Sequence, residues 1–407
     1  MAALVQQSLG LYFSIPFCRS KCTYCNFASG VFPASEHARY VKCLIDEMRG
    51  ARKWSESLGA ELPGKVDTIY LGGGTPSLLE PELIATLFAA IRAEFSVDAD
   101  AEITVECAPG QLADRTLAAL VEAGVNRVSL GVQSFIDREA QQSGRLHSRH
   151  VVLDDVERLR AAGIANLNLD LIAGLAGQTF TSWQESVETL VATGVPHASI
   201  YMLEVDEESR LGRELLAGGA RYHADVVPVD DVIARMYESA IEWLAAAGLP
   251  QYEISNFSRS GFESRHNLRY WQRRPYLGLG LDASSMLAEA GDAGYVLRST
   301  TTDDLKAYLE GSPAAETAWL SPERRHEEAW FLGLRLNCGV STAALRREFG
   351  DEPVRHALDT AARLVDRGLL RMDGDTVSLT AQGRLLSNDV FQEFLECAAS
   401  NPQPAAR

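Results

Sequence analysis

The chain has 407 residues, of which 46% are hydrophobic and 23% are charged. This length allows a large core and a second, smaller domain, and the composition is ordinary for a globular protein. The formal net charge of −17 disfavours nucleic acid and anionic lipid as primary partners, because their phosphates are also negative. No segment has the ~20 apolar residues of a membrane-spanning helix, and Met1–Leu9 lacks the basic residues of a signal peptide. A cytoplasmic protein is therefore expected.

The first half of the chain alternates strand-like and helix-like segments. The strand-like segments are rich in Val, Ile, Leu and Tyr, which indicates strands buried on both faces. They lie at Leu11–Ile15, Val66–Leu71, Glu102–Glu106, Arg127–Val132, Asn166–Ile172 and Ala198–Leu203. The helical segments lie at Ala34–Trp54, Pro81–Phe95, Leu112–Ala123, Ser148–Ala162 and Thr181–Thr193. This alternation predicts parallel βαβ units and an α/β fold class.

Six such units predict a partial (β/α)6 barrel over residues 1–227. In barrels of this kind, functional residues gather at the carboxyl ends of the strands. Glycine or polar residues occur at four of these ends, namely Gly72-Gly73-Gly74, Glu106, Gln133 and Asp170. The sequence therefore predicts a functional site at this end of the barrel.

The second half of the chain is expected to complete the barrel over residues 228–320. Just before this region, Arg210–Val227 has the glycines of a loop. The region itself begins with Val229–Ala247, which has the spacing of a long helix. Tyr252–Trp271 is a polar and aromatic segment without a clear period.

The character of the sequence changes at Ser321. Three helical segments, a hairpin signal at Asp373-Gly374-Asp375 and a last helix at Ala381–Cys397 predict a winged-helix-like α+β domain over 321–397. Many such domains bind DNA, but this one has 10 Lys and Arg against 13 Asp and Glu between residues 321 and 396. A role in packing or in covering a substrate is therefore favoured. Residues 398–407 are expected to be disordered.

Three of the seven cysteines are close together in the sequence. Cys18, Cys22 and Cys25 have the spacing C-x3-C-x2-C and follow the first strand and the turn Pro16-Phe17. Thiolates are the ligands that iron–sulfur clusters and zinc prefer. Three of them can hold three irons of a [4Fe–4S] cluster and leave the fourth iron free for a small molecule. A structural zinc site is the alternative, although the second ligand pair that such sites usually have is missing.

The segment Tyr12–Phe27 resembles the cluster loop of the radical S-adenosylmethionine (SAM) superfamily. It is most similar to the branch that contains the oxygen-independent coproporphyrinogen III dehydrogenases and the haem chaperones of the HemW type. The resemblance implies a [4Fe–4S] cluster and SAM, which the reduced cluster can cleave to a 5′-deoxyadenosyl radical. An electron donor such as a flavodoxin or ferredoxin is implied with them.

The same resemblance implies a SAM site made of residues from several strand ends. Gly73, Gly74 and Thr75 match the family's glycine-rich element, which contacts the SAM amino group. The other matches are Glu106, Gln133, Arg145, Asp170 for the ribose hydroxyls, Tyr12 near the adenosyl group, and Tyr24 within the cysteine motif. Carboxylates accept hydrogen bonds from hydroxyls and amines, and an arginine binds a carboxylate, so the set suits SAM. No residue is assigned a catalytic role.

Two features favour the haem chaperones within this branch. The dehydrogenases have a further cysteine where this chain has Phe27, and they have a longer segment before the first strand. In addition, His266-Asn-Leu-Arg-Tyr-Trp271 matches the HNxxYW motif of the chaperones, which implies haem binding with His266 as a candidate iron ligand.

The resemblance also implies protein partners that accept haem, and it allows a homodimer and peripheral membrane association. The chain departs from the branch at Asp282 and Ser284, which stand where Gly and His are usual. Coproporphyrinogen III dehydrogenase activity and a zinc-stabilised protein without redox function remain the alternatives.

Overall fold

A computed structural model describes residues 8–291, 293–311 and 314–395. Six parallel strands form the centre of the fold: β1 (Leu9–Ile15), β2 (Lys65–Gly73), β3 (Ser96–Cys107), β4 (Arg127–Gln133), β5 (Asn166–Ala173) and β6 (His197–Met202). The helices between them are α1 (Ser35–Leu58), α2 (Pro81–Glu94), α3 (Asp114–Glu122), α4 (Asp137–Gln142), α5 (Arg149–Ala161) and α6 (Phe180–Thr193). The predicted partial (β/α)6 barrel is confirmed.

Local signals in the sequence set the ends of these helices. Pro81 occupies the first turn of α2, where its missing N–H costs nothing. Thr179 and Ser182 form a reciprocal capping box at the start of α6. Gly59 ends α1 in a left-handed conformation with φ of 78°.

The sheet continues on both sides of the six strands. The chain adds α7 (Arg210–Leu216), a 3-10 turn (Arg221–Val226), α8 (Asp230–Ala246), β7 (Asn256–Ser258), α9 (Arg265–Trp271), β8 (Tyr276–Gly280), β9 (Ser284–Ala288), β10 (Val296–Thr301), α10 (Leu305–Leu309) and β11 (Ala314–Leu320). β8 pairs in parallel with β1, and β7 pairs antiparallel with β6. Among the described residues the strand order is β11-β10-β9-β8-β1-β2-β3-β4-β5-β6-β7, so the barrel is open. The loop predicted over Arg210–Val227 was wrong, because this segment contains α7 and the 3-10 turn.

The barrel strands are largely buried on both faces, as predicted, but only one of the two faces is apolar. Val128 and Leu130 of β4 belong to the core beneath the helices, whereas Arg127 and Ser129 lie on the opposite face, inside the barrel. Successive residues of a strand point to opposite faces, so the six strands enclose a polar interior. Inside it, Asn168 donates to the Ser129 hydroxyl at 2.8 Å.

The C-terminal region forms a separate core. It contains α11 (Pro322–Leu334), β12 (Val340–Ser341), α12 (Thr342–Phe349), α13 (Asp351–Asp366), β13 (Leu370–Asp373), β14 (Thr376–Leu379), α14 (Ala381–Leu385) and α15 (Ser387–Leu395). The last helix predicted at Ala381–Cys397 is instead two helices, because the chain turns at Leu386. Cys397 and the tail 398–407 lie outside the described residues.

The structure has two hydrophobic cores, and only one of the two predicted domain limits is crossed by the main core. The main core runs from Leu9 to Tyr308 and crosses the predicted limit at 227/228 through Ile233 and Met236 of α8. The second core begins at Ile254 and otherwise uses residues from Ala329 onward. The limits at 227/228 and 320/321 stay predictions. Within the described parts of the chain, no helix is long and apolar enough to span a bilayer.

Helix α9, which contains the HNxxYW motif, closes the barrel beside the amino-terminal halves of β2 and β3. Glu102 accepts hydrogen bonds from the first backbone N–H groups of α9, at 3.0 Å from Arg265 and 2.9 Å from His266. Arg269 is fully buried, pairs with Asp67 and donates to the carbonyl oxygen of Pro275 at 2.8 Å. The motif is thus a structural element of the barrel floor.

Replacing Arg269 should destabilise the protein strongly. Arg269→Met leaves the Asp67 carboxylate half-paired in a mostly buried position, so the free energy of unfolding should fall by about 3–5 kcal/mol. The matched control is Arg115→Met, because Arg115 is 81% exposed in its ion pair with Glu82 and should contribute less than about 1 kcal/mol. Urea unfolding measures both, and equal losses would contradict the assignment.

His266 should make the protein sensitive to mild acid. Burial, followed by the charge of Arg269, lowers the pKa of His266 from 6.5 to about 3. Between about pH 6.5 and about pH 3, His266 is therefore protonated in the unfolded chain but neutral in the folded chain, and stability is lost as the pH falls below about 6.5. Between about pH 7.5 and about pH 5.5 this group alone should cost about 1.4 kcal/mol. Urea unfolding of His266→Gln should show a correspondingly smaller acid loss, and an unchanged loss would contradict the inferred buried, neutral state.

Candidate functional site

A cavity of about 570 Å³ opens at the carboxyl ends of the barrel strands. Eleven of the thirteen predicted site residues line it: Cys18, Cys22, Tyr24, Cys25, Gly73, Gly74, Thr75, Glu106, Gln133, Arg145 and Asp170. Tyr12 and His266 are the two that do not. Parallel strands bring residues far apart in sequence to one edge, which is why these scattered positions converge.

The cysteine loop, residues 18–30, is closed by a hydrogen bond between its two ends and is anchored to other elements at its middle. The N–H of Cys18 donates to the Gly30 carbonyl at 2.8 Å, and the N–H of Thr23 donates to the Ser143 carbonyl at 3.0 Å. The N–H of Leu211 donates to the Thr23 carbonyl at 2.8 Å. These backbone hydrogen bonds hold a short, irregular loop against α4 and α7.

The three thiols have the chemistry that an iron–sulfur cluster requires. All three are partly exposed to the cavity, and Arg145 donates from Nη1 to the Cys22 sulfur at 3.5 Å. Burial is the main cause of the raised pKa of Cys18, so a metal must displace its proton on binding. Among the described residues, no three metal-binding side chains converge on one point. A cluster does not require this, because each thiolate binds a different iron.

Gly74, directly after β2, allows the cysteine loop to lie against the strand end. The N–H of Gly74 donates to the Ile15 carbonyl at 2.9 Å, and the N–H of Thr75 donates to the Phe17 carbonyl at 2.8 Å. A Cβ atom on Gly74 would lie 2.7 Å from the Ile15 oxygen, so only glycine fits there.

Two partly buried carboxyl groups form the floor of the cavity. Glu106 accepts from the Tyr70 hydroxyl at 2.8 Å, and burial raises the pKa of Glu106 to about 7. Asp170 accepts from Asn168 at 2.7 Å and from Ser129 at 3.1 Å, and burial raises its pKa as well. Each carboxyl retains the capacity to accept from hydroxyl or amine groups of a ligand.

Gln133 and Arg145 complete the wall beside the cluster loop. Gln133 has a φ of 69°, a left-handed conformation that is uncommon outside glycine, and its buried Oε1 has no hydrogen-bond partner among the residues that the structure describes. Arg145 donates to the Gly131 carbonyl as well as to Cys22. A strained residue with an unsatisfied polar atom at a cavity wall is a feature of binding sites. The donor set and the unsatisfied oxygen fit a [4Fe–4S] cluster with SAM.

Tyr12 and His266 lie deeper in the barrel than the cavity. The Tyr12 ring centroid is 6.0 Å from that of Tyr70 and 6.4 Å from that of His266. His266 is 1% exposed, with Nδ1 bonded to the Thr68 hydroxyl at 3.0 Å and Nε2 to the Tyr270 hydroxyl at 2.8 Å. Both ring nitrogens are already used, so in this conformation His266 offers no lone pair to a haem iron.

Several residues of the site were not predicted from the sequence. Tyr70, Ser129 and Asn168 hold the two carboxyl groups, and Arg335, Ser387 and Asn388 of the C-terminal region line the far side of the cavity. The first three could have been found, because polar residues recur at every second position of β2, β4 and β5. The contribution of the C-terminal region depends on tertiary packing and leaves no local signal.

Of the positions where this chain differs from other members of its branch, one lines the cavity and two do not. Phe27, where the dehydrogenases have cysteine, lines the cavity and is 61% exposed. Asp282 and Ser284, the departures from the usual Gly and His, do not line it. Asp282 has a φ of 52° in the turn between β8 and β9, and Ser284 is exposed.

Comparison with known families and proteins agrees with this geometry. Residues 12–190 match the radical SAM superfamily, and residues 320–386 match the HemN C-terminal domain. The chain is 34% identical to the heme chaperone HemW of Lactococcus lactis over 96% of this chain and 98% of that protein. It is 34% identical to HemW of Bacillus subtilis, over 94% and 98%, and 30% identical to HemW of Escherichia coli, over 95% and 98%.

The fold also matches a solved structure. The coproporphyrinogen III oxidase HemN of Escherichia coli, a radical SAM enzyme, superposes with a TM-score of 0.80 over 95% of this chain and 90% of that one. The two sequences are 21% identical, so this match concerns the fold. The end-to-end similarity to HemW proteins is higher, and the chain belongs to the HemW family of the radical SAM superfamily.

Proposed function

We propose that this chain is a haem chaperone that binds haem and delivers it to acceptor proteins. The observation that carries the proposal is its identity of 30% or more to heme chaperones over nearly their whole length, 98% of each of three such proteins. The match therefore includes the cluster loop, the barrel and the C-terminal region together.

The cluster and SAM belong to the same proposal. Membership of the radical SAM superfamily implies both cofactors. Cys18, Cys22 and Cys25 would hold the cluster, and the cavity beside them would hold SAM. When bound, the pair can supply one-electron cleavage of SAM.

The residues of the chain would bind and orient SAM. Asp170 would accept from the ribose hydroxyls, held in position by Asn168 and Ser129. Glu106 and the backbone at Gly73–Thr75 would bind the amine, and Arg145 would pair with the carboxylate. The Oε1 of Gln133 supports this arrangement, because it has no hydrogen-bond partner among the described residues and a ligand in the cavity could supply one. Tyr24 would form part of the wall.

Reduction of the cluster requires a partner protein. A flavodoxin or ferredoxin is proposed as the electron donor, because the cysteines that would hold the cluster are partly exposed and line an open cavity. The homodimer and the cytoplasmic location stay predictions.

Haem titration of the cluster-loaded protein tests the proposed function. We expect about one haem per chain, and transfer of that haem to an acceptor apoprotein, with weaker binding of iron-free protoporphyrin because it lacks an axial bond. Absorption in the Soret region measures binding. Absence of haem binding would contradict the proposal, as would restored porphyrin synthesis in a strain that lacks coproporphyrinogen III dehydrogenase.

A further inference from the structure

The iron of haem needs an axial ligand, and the histidines of this chain differ in their ability to supply one. Six of the eight use a ring nitrogen in a hydrogen bond or ion pair: His37, His147, His150, His197, His266 and His326. Within the described residues, His223 and His356 make neither, and both are exposed. An imidazole with an unused lone pair is the form that binds a metal.

The surroundings of His223 are apolar and open. His223 lies in the segment 204–229, which we call the strap, between β6 and α8. The strap carries five exposed large hydrophobic residues: Val205 at 52%, Leu216 at 66%, Tyr222 at 37%, Val226 at 47% and Val229 at 68%. Helix α13, which carries His356, has no large exposed hydrophobic residue among those described. Exposed apolar side chains in a group indicate a binding surface.

The strap as a whole has three arginines against six carboxylates, but its arginines lie in the part around His223. Between residues 210 and 226 it has three arginines against two carboxylates, Glu214 and Asp225, whereas the whole chain has a net charge of −17. The guanidinium groups of Arg213 and Arg221 form no ion pair within the described residues, and that of Arg210 lies over the Tyr222 ring at 5.4 Å. Unpaired arginines suit the two propionate groups of a haem.

The backbone at His223 is held in an unusual conformation. Tyr222 has φ of 56° and His223 has φ of 61°, so two successive residues other than glycine are left-handed. Each costs about 1–2 kcal/mol, and such strain concentrates at functional positions. Hydrogen bonds on both sides keep the turn in place, from Arg221 N–H to Glu214 Oε1 at 3.1 Å and from Gly177 N–H to the Val226 carbonyl at 2.8 Å.

The strap is bonded directly to the cluster loop. Besides the hydrogen bond from Leu211 to the Thr23 carbonyl, Arg210 donates to the Lys21 carbonyl. A ligand on the strap would therefore lie beside the loop that carries the cysteines.

We propose that the strap is the haem site of this protein, with His223 as the axial ligand of the iron. Leu216, Tyr222 and Val226 contact the macrocycle, and Arg213 and Arg221 pair with its propionates. The inference rests on the proposed haem-binding function and replaces His266 as the candidate ligand.

The test is a haem titration of the full-length, cluster-loaded protein and its His223→Asn variant. Asparagine tolerates the left-handed backbone, so the strap should keep its fold. We expect haem affinity to fall by at least about tenfold, the lower end of the cost of disturbing a metal site. Added free imidazole should restore the low-spin Soret band. The matched control, His356→Asn, should bind haem like the parent chain, and all three proteins should keep the same iron and sulfide content.

A second variant tests the propionate contacts. Arg213→Gln combined with Arg221→Gln should weaken the binding of haem by about threefold to tenfold but leave the binding of its dimethyl ester unchanged. Unaltered haem binding by His223→Asn, in a parent chain that binds haem, would overturn the strap site alone. A parent chain that binds no haem would overturn the proposed function itself.

Discussion

The structure depends on the alternation of apolar and polar residues along the parallel strands. The apolar set packs beneath the helices and supplies the core, while the polar set faces the inside of the barrel. Buried polar groups are costly unless they are hydrogen-bonded, so each interior residue needs a neighbour from an adjacent strand. Asn168 shows the pattern, since it contacts Ser129 on one side and Ser199 on the other. At the cavity, hydrogen bonds from interior residues fix the carboxyl groups of Glu106 and Asp170, which can still accept hydrogen bonds from a ligand.

The cluster loop lies where three parts of the chain meet. It is bonded to the strand end of β2 through Gly74 and Thr75, to the end of α4 through Ser143, and to the strap through Leu211. Loading of the cluster would tighten all three connections, because metal binding contributes to the stability of its loop. In the proposed account, the cofactor site and the haem surface on the strap are therefore neighbours with a shared wall.

Sequence patterns predicted the six βα units and the cavity because both rest on local signals. Short strands, capped helices and glycine or polar residues at the strand ends are visible in one dimension, and parallel topology brings those ends together. The patterns failed where tertiary contacts decide. Helix α7 was missed because glycines at 212, 218 and 219 read as a loop, although the Ser209 side chain caps the helix and Leu211 is buried. The assignment of His266 followed a motif, whereas burial and two hydrogen-bond partners determine what its ring can do.

The HNxxYW motif connects α9 to the strands of the barrel. Its arginine and histidine connect α9 to β2, and Glu102 caps the helix from β3. These contacts fix the barrel floor beneath Tyr70, which in turn holds Glu106. The motif therefore has a structural role in this chain that does not depend on haem binding.

The central claim is that the three cysteines hold a cluster with one iron left free for SAM in the adjoining cavity. The electron paramagnetic resonance spectrum of the reduced, cluster-loaded protein tests it most directly. Our account predicts that saturating SAM changes the g-values of the cluster, because SAM in the adjoining cavity would bind to the iron that has no cysteine ligand. Identical spectra with and without SAM would contradict it.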